Sequence, residues 1–200
     1  MLKKEMMSKN PIILFKEWFA LAEAQTDIDK PEAFCLSTMG LDGCPQGRIV
    51  LMKSVSNDGF IFYTNYNSNK AIELTACPQA NMTFFWDSLG YQIRIRGRVS
   101  KTQTDLSDDY FESRPRESQL GAWASEQSQV IENRGVLEKR YKDYSQQFEN
   151  KTVTRPPHWG GYLLAPKAME FWINQDDRLH DRFLYTKSES GVWSVSQLAP

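Results

Sequence analysis

The sequence predicts a mainly β protein, an antiparallel barrel decorated by helices, on three observations. Strand-like runs outnumber helical ones, and the links between them are short, which disfavours a doubly wound parallel sheet. Within one run, Tyr91, Ile93 and Ile95 alternate with Gln92, Arg94 and Arg96, the period-two pattern of a strand with one packed and one polar face.

The elements follow in order. Asn10-Pro11 reads as a helix cap with proline in the first turn, and Leu14, Phe15, Trp18, Leu21 and Ala22 recur behind it at helical spacing. Strands are expected at 33–39, 47–55, 60–64, 81–86 and 91–101. Asp42-Gly43, Asn57-Asp58-Gly59 and the stretch from Asp87 to Gly90 separate them with residues that tolerate positive φ. A short helix at 68–77 ends at Pro78, and longer helices are expected at 104–113 and 127–148. The stretch from Asn150 to Pro157 is linker-like, and strands return at 160–165, 168–173, 182–187 and 192–198. We expect one domain over 1–200, with 1–10 flexible.

Composition narrows the function. A 200-residue chain with 40% hydrophobic residues can bury a sizeable core. A net charge of −1 and a pI near 6.2 argue against a nucleic-acid binder, so any basic site is local. No stretch approaches the roughly 18 apolar residues that span a bilayer, and the first ten residues lack an apolar signal core, so a cytoplasmic protein without a membrane partner is expected. Cys35, Cys44 and Cys77 have neither disulfide nor zinc spacing, and with only His158 and His180 no metal site is expected.

Five segments carry chemistry. Arg48-Ile49-Val50-Leu51-Met52-Lys53 is an extended run with a cation at each end, able to meet two anions, although alone it reads better as a solvated edge. Tyr63-Thr64-Asn65-Tyr66-Asn67-Ser68-Asn69-Lys70 runs from a strand into a helix N-terminus. Hydroxyls, free N–H groups and Lys70 there suit a phosphate about as well as they suit ordinary capping. Tyr110, Arg114 and Ser118 fall four apart, and Pro115 keeps Arg114 out of a helix, at a junction where its fork can enter a cleft; a surface turn is the stronger reading in isolation. Gln127-Ser128-Gln129 could read the edge of a heterocycle or simply cap a helix. Phe171-Trp172 and Arg178-Leu179-His180-Asp181-Arg182 crowd two arginines, a histidine and a carboxylate between two strands, where Asp181 in a surface ion network is the competing reading.

In this order, and with Ser113-Arg114-Pro115-Arg116, Gln119-Leu120-Gly121-Ala122-Trp123, Trp159-Gly160-Gly161 and the terminal Leu198-Ala199-Pro200, these segments resemble the pyridoxine/pyridoxamine 5'-phosphate oxidase family over nearly the whole chain. The resemblance implies an FMN-binding split barrel, a homodimer and one FMN at each of two intersubunit clefts. It implies FMN contacts at Arg48, Ile49, Val50, Leu51, Met52, Lys53, Tyr63, Thr64, Asn69, Lys70, Gln92, Gln127, Ser128, Trp172 and Arg182. It assigns the substrate to Lys53, Tyr110, Arg114, Ser118, Arg178, Leu179 and His180, with Arg178 and His180 catalytic.

The implied activity is oxidation of pyridoxine or pyridoxamine 5'-phosphate to pyridoxal 5'-phosphate by O2. A non-catalytic flavin or pyridoxal phosphate binding protein of the same fold is the alternative, and a split-barrel reductase using another flavin-like cofactor or haem is a third reading. Two departures stand out. Asn69 occupies a position where the family commonly has arginine, which predicts weaker flavin binding. The first ten residues do not match the Arg-Arg-Glu-Tyr segment that covers the substrate in many members.

Overall fold

The computed structural model describes residues 10–200, so the expected flexibility of 1–10 and the substrate-covering segment lie, Asn10 apart, outside the described residues. Helix α1 (Pro11–Glu23) starts as the sequence requires: the Asn10 side chain accepts a hydrogen bond from the Ile12 amide at 2.9 Å, and Pro11 takes a position whose N–H is dispensable. Its buried stripe includes Phe15 and Trp18. Phe15 meets Phe60 and Phe84 edge-on at 4.8 and 5.2 Å, while Trp18 stacks on Tyr91 at 4.1 Å. The helix thus plugs one end of a barrel with aromatic area.

The barrel is built from β1 (Ala33–Met39), β2 (Pro45–Val55), β3 (Phe60–Asn65), β4 (Gln79–Trp86), β5 (Tyr91–Lys101) and β6 (Trp159–Ile173). They run in the order β3-β2-β1-β4-β5-β6, and pairing of β3 with β6 closes the ring. Every pairing is antiparallel. Inward residues Leu36, Phe62, Phe84, Met82, Ile95 and Leu164 are fully buried and fill the interior. In β5 the apolar residues face in and Arg94 and Arg96 face out, as the alternation predicts.

Expected strands at 160–165 and 168–173 are in fact one strand, β6. Pro166 lacks a ladder donor, yet the pairing jumps from Arg96–Ala168 to Gly97–Pro166, so a bulge at Lys167 absorbs the proline without ending the strand. Gly97 is required opposite, because a Cβ there would lie 2.1 Å from the Ala165 carbonyl oxygen. The first half of β6 closes the barrel against β3, and its second half carries β7 (Asp181–Lys187) and then β8 (Trp193–Leu198) as an extension of the sheet. That length lets one strand serve two purposes.

Helix α2 (Asn69–Ala76) follows β3, and α3 (Thr104–Glu112), α4 (Arg116–Ala124) and α5 (Arg134–Gln147) occupy the connection from β5 to β6. Two expectations change here. Helix α4 was not expected, and the helix expected at 127–148 begins only at Arg134. Residues 125–133 instead cross to the start of α2, held by the Asn65 side chain on the Ser125 carbonyl at 3.1 Å, with Ser128 at φ +72°. Hydrogen bonds to a distant element outweigh local helix preference.

Candidate functional site

The first cluster forms where β3 enters α2. Lys70 Nζ donates to Gln127 Oε1 at 2.9 Å, Ser68 Oγ at 3.2 Å and Thr64 Oγ1 at 3.3 Å. Thr64 also bonds Gln127 at 3.1 Å, and the Asn69 amide donates to Ser128 Oγ at 3.3 Å. Gln127 and Ser128 therefore act in the irregular crossing and cap no helix. Burial and the neighbouring Arg48 guanidinium push the Lys70 ammonium down to about 8, with Glu73 opposing them. A cation that is half-dehydrated and ringed by hydroxyls at a helix start is an anion site in chemical character.

Arg48 reaches the same helix from β2. Its guanidinium donates to Glu73 Oε2 at 2.9 Å and to the hydroxyl of Thr38, which in turn donates to Glu73 at 2.5 Å. Arg48 is therefore not the solvated edge residue that its strand alone suggested. At the other end of that run Lys53 is exposed, beside the irregular pairing between Met52 and Ser54, and has no side-chain partner among the described residues. Of the residues between them, Ile49 is 68% exposed and Met52 is buried in the core, so only the backbone of Met52 is offered to a ligand.

The second cluster is an aromatic cup. Tyr63 stacks on Tyr110 with ring centres 4.0 Å apart and lies 5.4 Å from Trp159, almost parallel to it. Arg114 sits between α3 and α4, at the junction Pro115 predicts, with its guanidinium carbon 4.7 Å above the Trp159 ring. Its Nη1 is buried and has no hydrogen-bond partner. Burial lowers the Arg114 pKa from its ordinary value. A buried guanidinium N–H without an acceptor is costly, and an anion entering between Tyr110 and Ser118 would remove that cost. Ser118 lies on the first turn of α4, with its amide bonded to the Pro115 carbonyl.

The third cluster lies on the outer face of β5, β6 and β7, where Gln92, Trp172 and Arg182 are cross-strand neighbours. The His180 ring lies 4.6 Å from that of Trp172, and His180 Nδ1 accepts from the Gln175 amide at 3.2 Å, which leaves Nε2 for a ligand. Asp177 and Arg178 both adopt positive φ, 55° and 60°, in the turn before β7. Two adjacent non-glycine residues in that region cost on the order of 1–3 kcal/mol each, a strain that clusters at binding sites. Arg178 and Leu179 are exposed. Asp181 does not neutralise the arginines: Gln175 and Gln197 hold it at 3.1 and 3.4 Å, and Glu170 binds Arg182 instead.

Tyr63 pairs with Gly161 near the start of β6 and Arg182 with Trp172 near its end, so the second and third clusters are separated by on the order of 30 Å of strand. No side chain spans that distance. One chain alone does not bring Arg178 and His180 to Tyr110 and Arg114. A cavity of about 620 Å³ opens beside the Arg48 clasp, lined by Thr38, Asn81, Arg96, Arg98 and Lys167, and it contains none of the expected substrate residues. Among the described residues no cluster of three or more His, Cys, Asp or Glu is placed to hold a metal, and no helix is long and apolar enough to cross a membrane.

Residues 20–148 match the family described as Pyridoxamine 5'-phosphate oxidase, and 159–200 match the Pyridoxine 5'-phosphate oxidase C-terminal dimerisation region. The chain belongs to the pyridoxamine 5'-phosphate oxidase family. A relative from Burkholderia vietnamiensis named pyridoxine/pyridoxamine 5'-phosphate oxidase is 48% identical, over 96% of this chain and 89% of its own. One of the same name from Nostoc punctiforme is 46% identical with the same coverage. Among solved structures, PhzG from Burkholderia lata, in complex with tetrahydrophenazine-1-carboxylic acid, superposes with a TM-score of 0.89 at 31% identity, covering 96% of this chain and 93% of that one. A Nostoc punctiforme protein described as pyridoxamine 5'-phosphate oxidase-related and FMN binding superposes at 0.74 with 16% identity, over 97% and 100% of the two chains, and shares the fold.

Sequence reasoning missed four groups that touch the expected ligands' neighbours: Thr38 and Glu73 at Arg48, Glu170 at Arg182, and Trp159 under Arg114. Glu73 carried a signal, three residues beyond Lys70 on the same helix face, and Glu170 another, two before Trp172 on the same strand face.

Proposed function

We propose that this chain oxidises pyridoxine 5'-phosphate and pyridoxamine 5'-phosphate to pyridoxal 5'-phosphate, with FMN as its cofactor and O2 as the final acceptor, in the cytoplasm. One observation carries the reading: Arg114 Nη1 is buried without a partner beside Tyr110, an orphan donor that a substrate phosphate would satisfy. The names of the 46–48% identical relatives support the same substrates. The residues present suit FMN: Lys70, Thr64, Ser68 and Ser128 converge at one helix start, and Arg48 stands ready beside them.

The working unit in this reading is a homodimer. The separation of the aromatic cup from the Trp172 cluster supports it, as does the match of 159–200 to a dimerisation region, because a second copy would set one chain's Arg178 and His180 against the other's Tyr110 and Arg114. Bound FMN would supply a two-electron acceptor that O2 reoxidises, yielding hydrogen peroxide. Lys53, Tyr110, Arg114 and Ser118 anchor the substrate phosphate and so order the reacting carbon. Arg178 and His180 hold the other side of the pyridine ring, His180 through its free Nε2. The alcohol leaves as aldehyde; with the amine, water completes hydrolysis to aldehyde and ammonia.

A second reading rests on the 31% identical PhzG, whose bound tetrahydrophenazine-1-carboxylic acid is also an anionic ring. Purified dimer, loaded with FMN, is assayed for peroxide and aldehyde with pyridoxine 5'-phosphate and pyridoxamine 5'-phosphate, and for peroxide with tetrahydrophenazine-1-carboxylate. Turnover of the phosphates alone is expected. Oxidation of the tetrahydrophenazine alone would move the chain to the second reading, and a yellow dimer that turns over none of them would leave a carrier.

A further inference from the structure

The buried charged residues of the described chain are two carboxylates, Glu73 at 7% exposure and Glu170 at 8%. A buried carboxylate is costly unless it is paired, so each position asks what it is paired with. Glu73 holds Arg48, on β2, and Glu170 holds Arg182, on β7, the two arginines assigned to FMN. We propose that Glu73 and Glu170 are positioning residues of the FMN site, each fixing one arginine in its ligand-ready orientation before FMN binds. This inference rests on the FMN reading above.

The hydrogen-bond count at each guanidinium supports a positioning role over a plain ion pair. An arginine has five N–H donors in a rigid fork. Arg182 gives Nε and Nη2 to Glu170 Oε1 at 2.9 and 2.8 Å, and Nη1 to the Ala199 carbonyl at 3.1 Å. Arg48 gives Nη2 to Glu73 at 2.9 Å and Nη1 to Thr38 and, at 3.4 Å, to the Leu36 carbonyl. Each fork is thus held from the protein side while donors remain for a ligand. Arg94, 3.3 Å from the other oxygen of Glu170, holds that carboxylate from its second side. Thr38 donates to the same Glu73 oxygen that accepts from Arg48, and itself accepts from Arg48, so the three side chains form one closed clasp. Holding long side chains in place in advance removes an ordering cost from ligand binding.

A structural role and a positioning role separate in a double-mutant cycle read on FMN affinity. In dimeric apoprotein, FMN dissociation constants are measured by flavin fluorescence quenching for Glu170→Gln, Arg182→Ala and the double variant, and for Glu73→Gln, Arg48→Ala and their double. Each Glu→Gln is expected to weaken FMN about tenfold, the low end for removal of a group that orients a ligand-binding side chain. In the matching Arg→Ala background the same change is expected to cost nothing further. Should a Gln variant fail to fold, Glu→Asp keeps the charge but shortens the reach, and the same loss is expected because placement is what the carboxylate supplies. Additive losses, or unchanged affinity in the glutamate variants while the arginine variants lose FMN, would overturn the proposal. Unchanged FMN affinity in both arginine variants would overturn the FMN assignment itself, a distinct result.

Discussion

The two ends of β6 make opposite provisions for a ligand. At its start, the Tyr63, Tyr110 and Trp159 rings and the helix junction bury Arg114 with a donor left open. At its end, Arg182 is already neutralised by Glu170 and the Arg178 turn is exposed and strained. A preformed cup with an unmet donor is built to bind, and its contacts are largely the same in ground and transition states. In the proposed reaction, an open, strained turn that a second copy would complete is suited to act late, on the ring that the cup would fix. Binding and turnover should therefore separate between the two ends.

The largest test of that division is Arg178→Ala. It should lower kcat by about 100-fold with FMN retained and KM little changed, the scale expected when a positioned group acting on the reacting ring is lost. Arg114→Ala should instead raise KM for the phosphorylated substrates by about 10 to 100-fold, the worth of a charged hydrogen-bond pair, with a smaller effect on kcat. Steady-state kinetics and the flavin spectrum of both variants check this. Wild-type constants in both would break the comparison, and a pure KM effect at Arg178 would reverse it.

A smaller effect comes from the cluster at the start of α2. Burial and Arg48 set Lys70 near 8 before FMN arrives, so above that pH Lys70 loses its charge. A phosphate favours the protonated form, so FMN affinity should fall by up to about tenfold per pH unit above 8. Titration across pH 7 to 10 checks it, and Lys70→Met should flatten the profile. For folding the sign is opposite. The unfolded chain binds more protons between about 8 and 10.5, so this group makes apoprotein stability rise through that window.

The strand pattern was legible because period-two alternation and glycine turns are local: β1 and β5 have the expected ends, and Gly43 and Gly90 take the positive φ that their turns imply. The site was legible as a set of residue types and not as pairings. Gln127 looked like a cap because the sequence cannot show that Thr64 and Lys70, about sixty residues earlier, draw it out of a helix. For the same reason, Glu73 and Glu170 were not singled out. Their burial depends on arginines brought alongside by sheet register and by a helix packed over a strand. The split of β6 at Pro166 failed on a further non-local fact, the glycine opposite that lets the strand bulge.

The smallest expected effect is Asn69→Arg. Asn69 is exposed at the first position of α2, where its amide already holds Ser128, so a longer side chain meets no packing constraint. An added cation there lies at the wrong end of the helix dipole, which costs a few tenths of a kcal/mol in the apoprotein, but it gains a phosphate neighbour once FMN binds. The net should be about a threefold tighter FMN complex, roughly 0.7 kcal/mol at 1.4 kcal/mol per decade, with a slightly lower Tm without FMN. The gain should shrink at high salt, because an exposed pair is screened. If affinity is unchanged at low salt, the phosphate does not lie at the start of α2, and Arg48, Thr64 and Lys70 form a structural network instead.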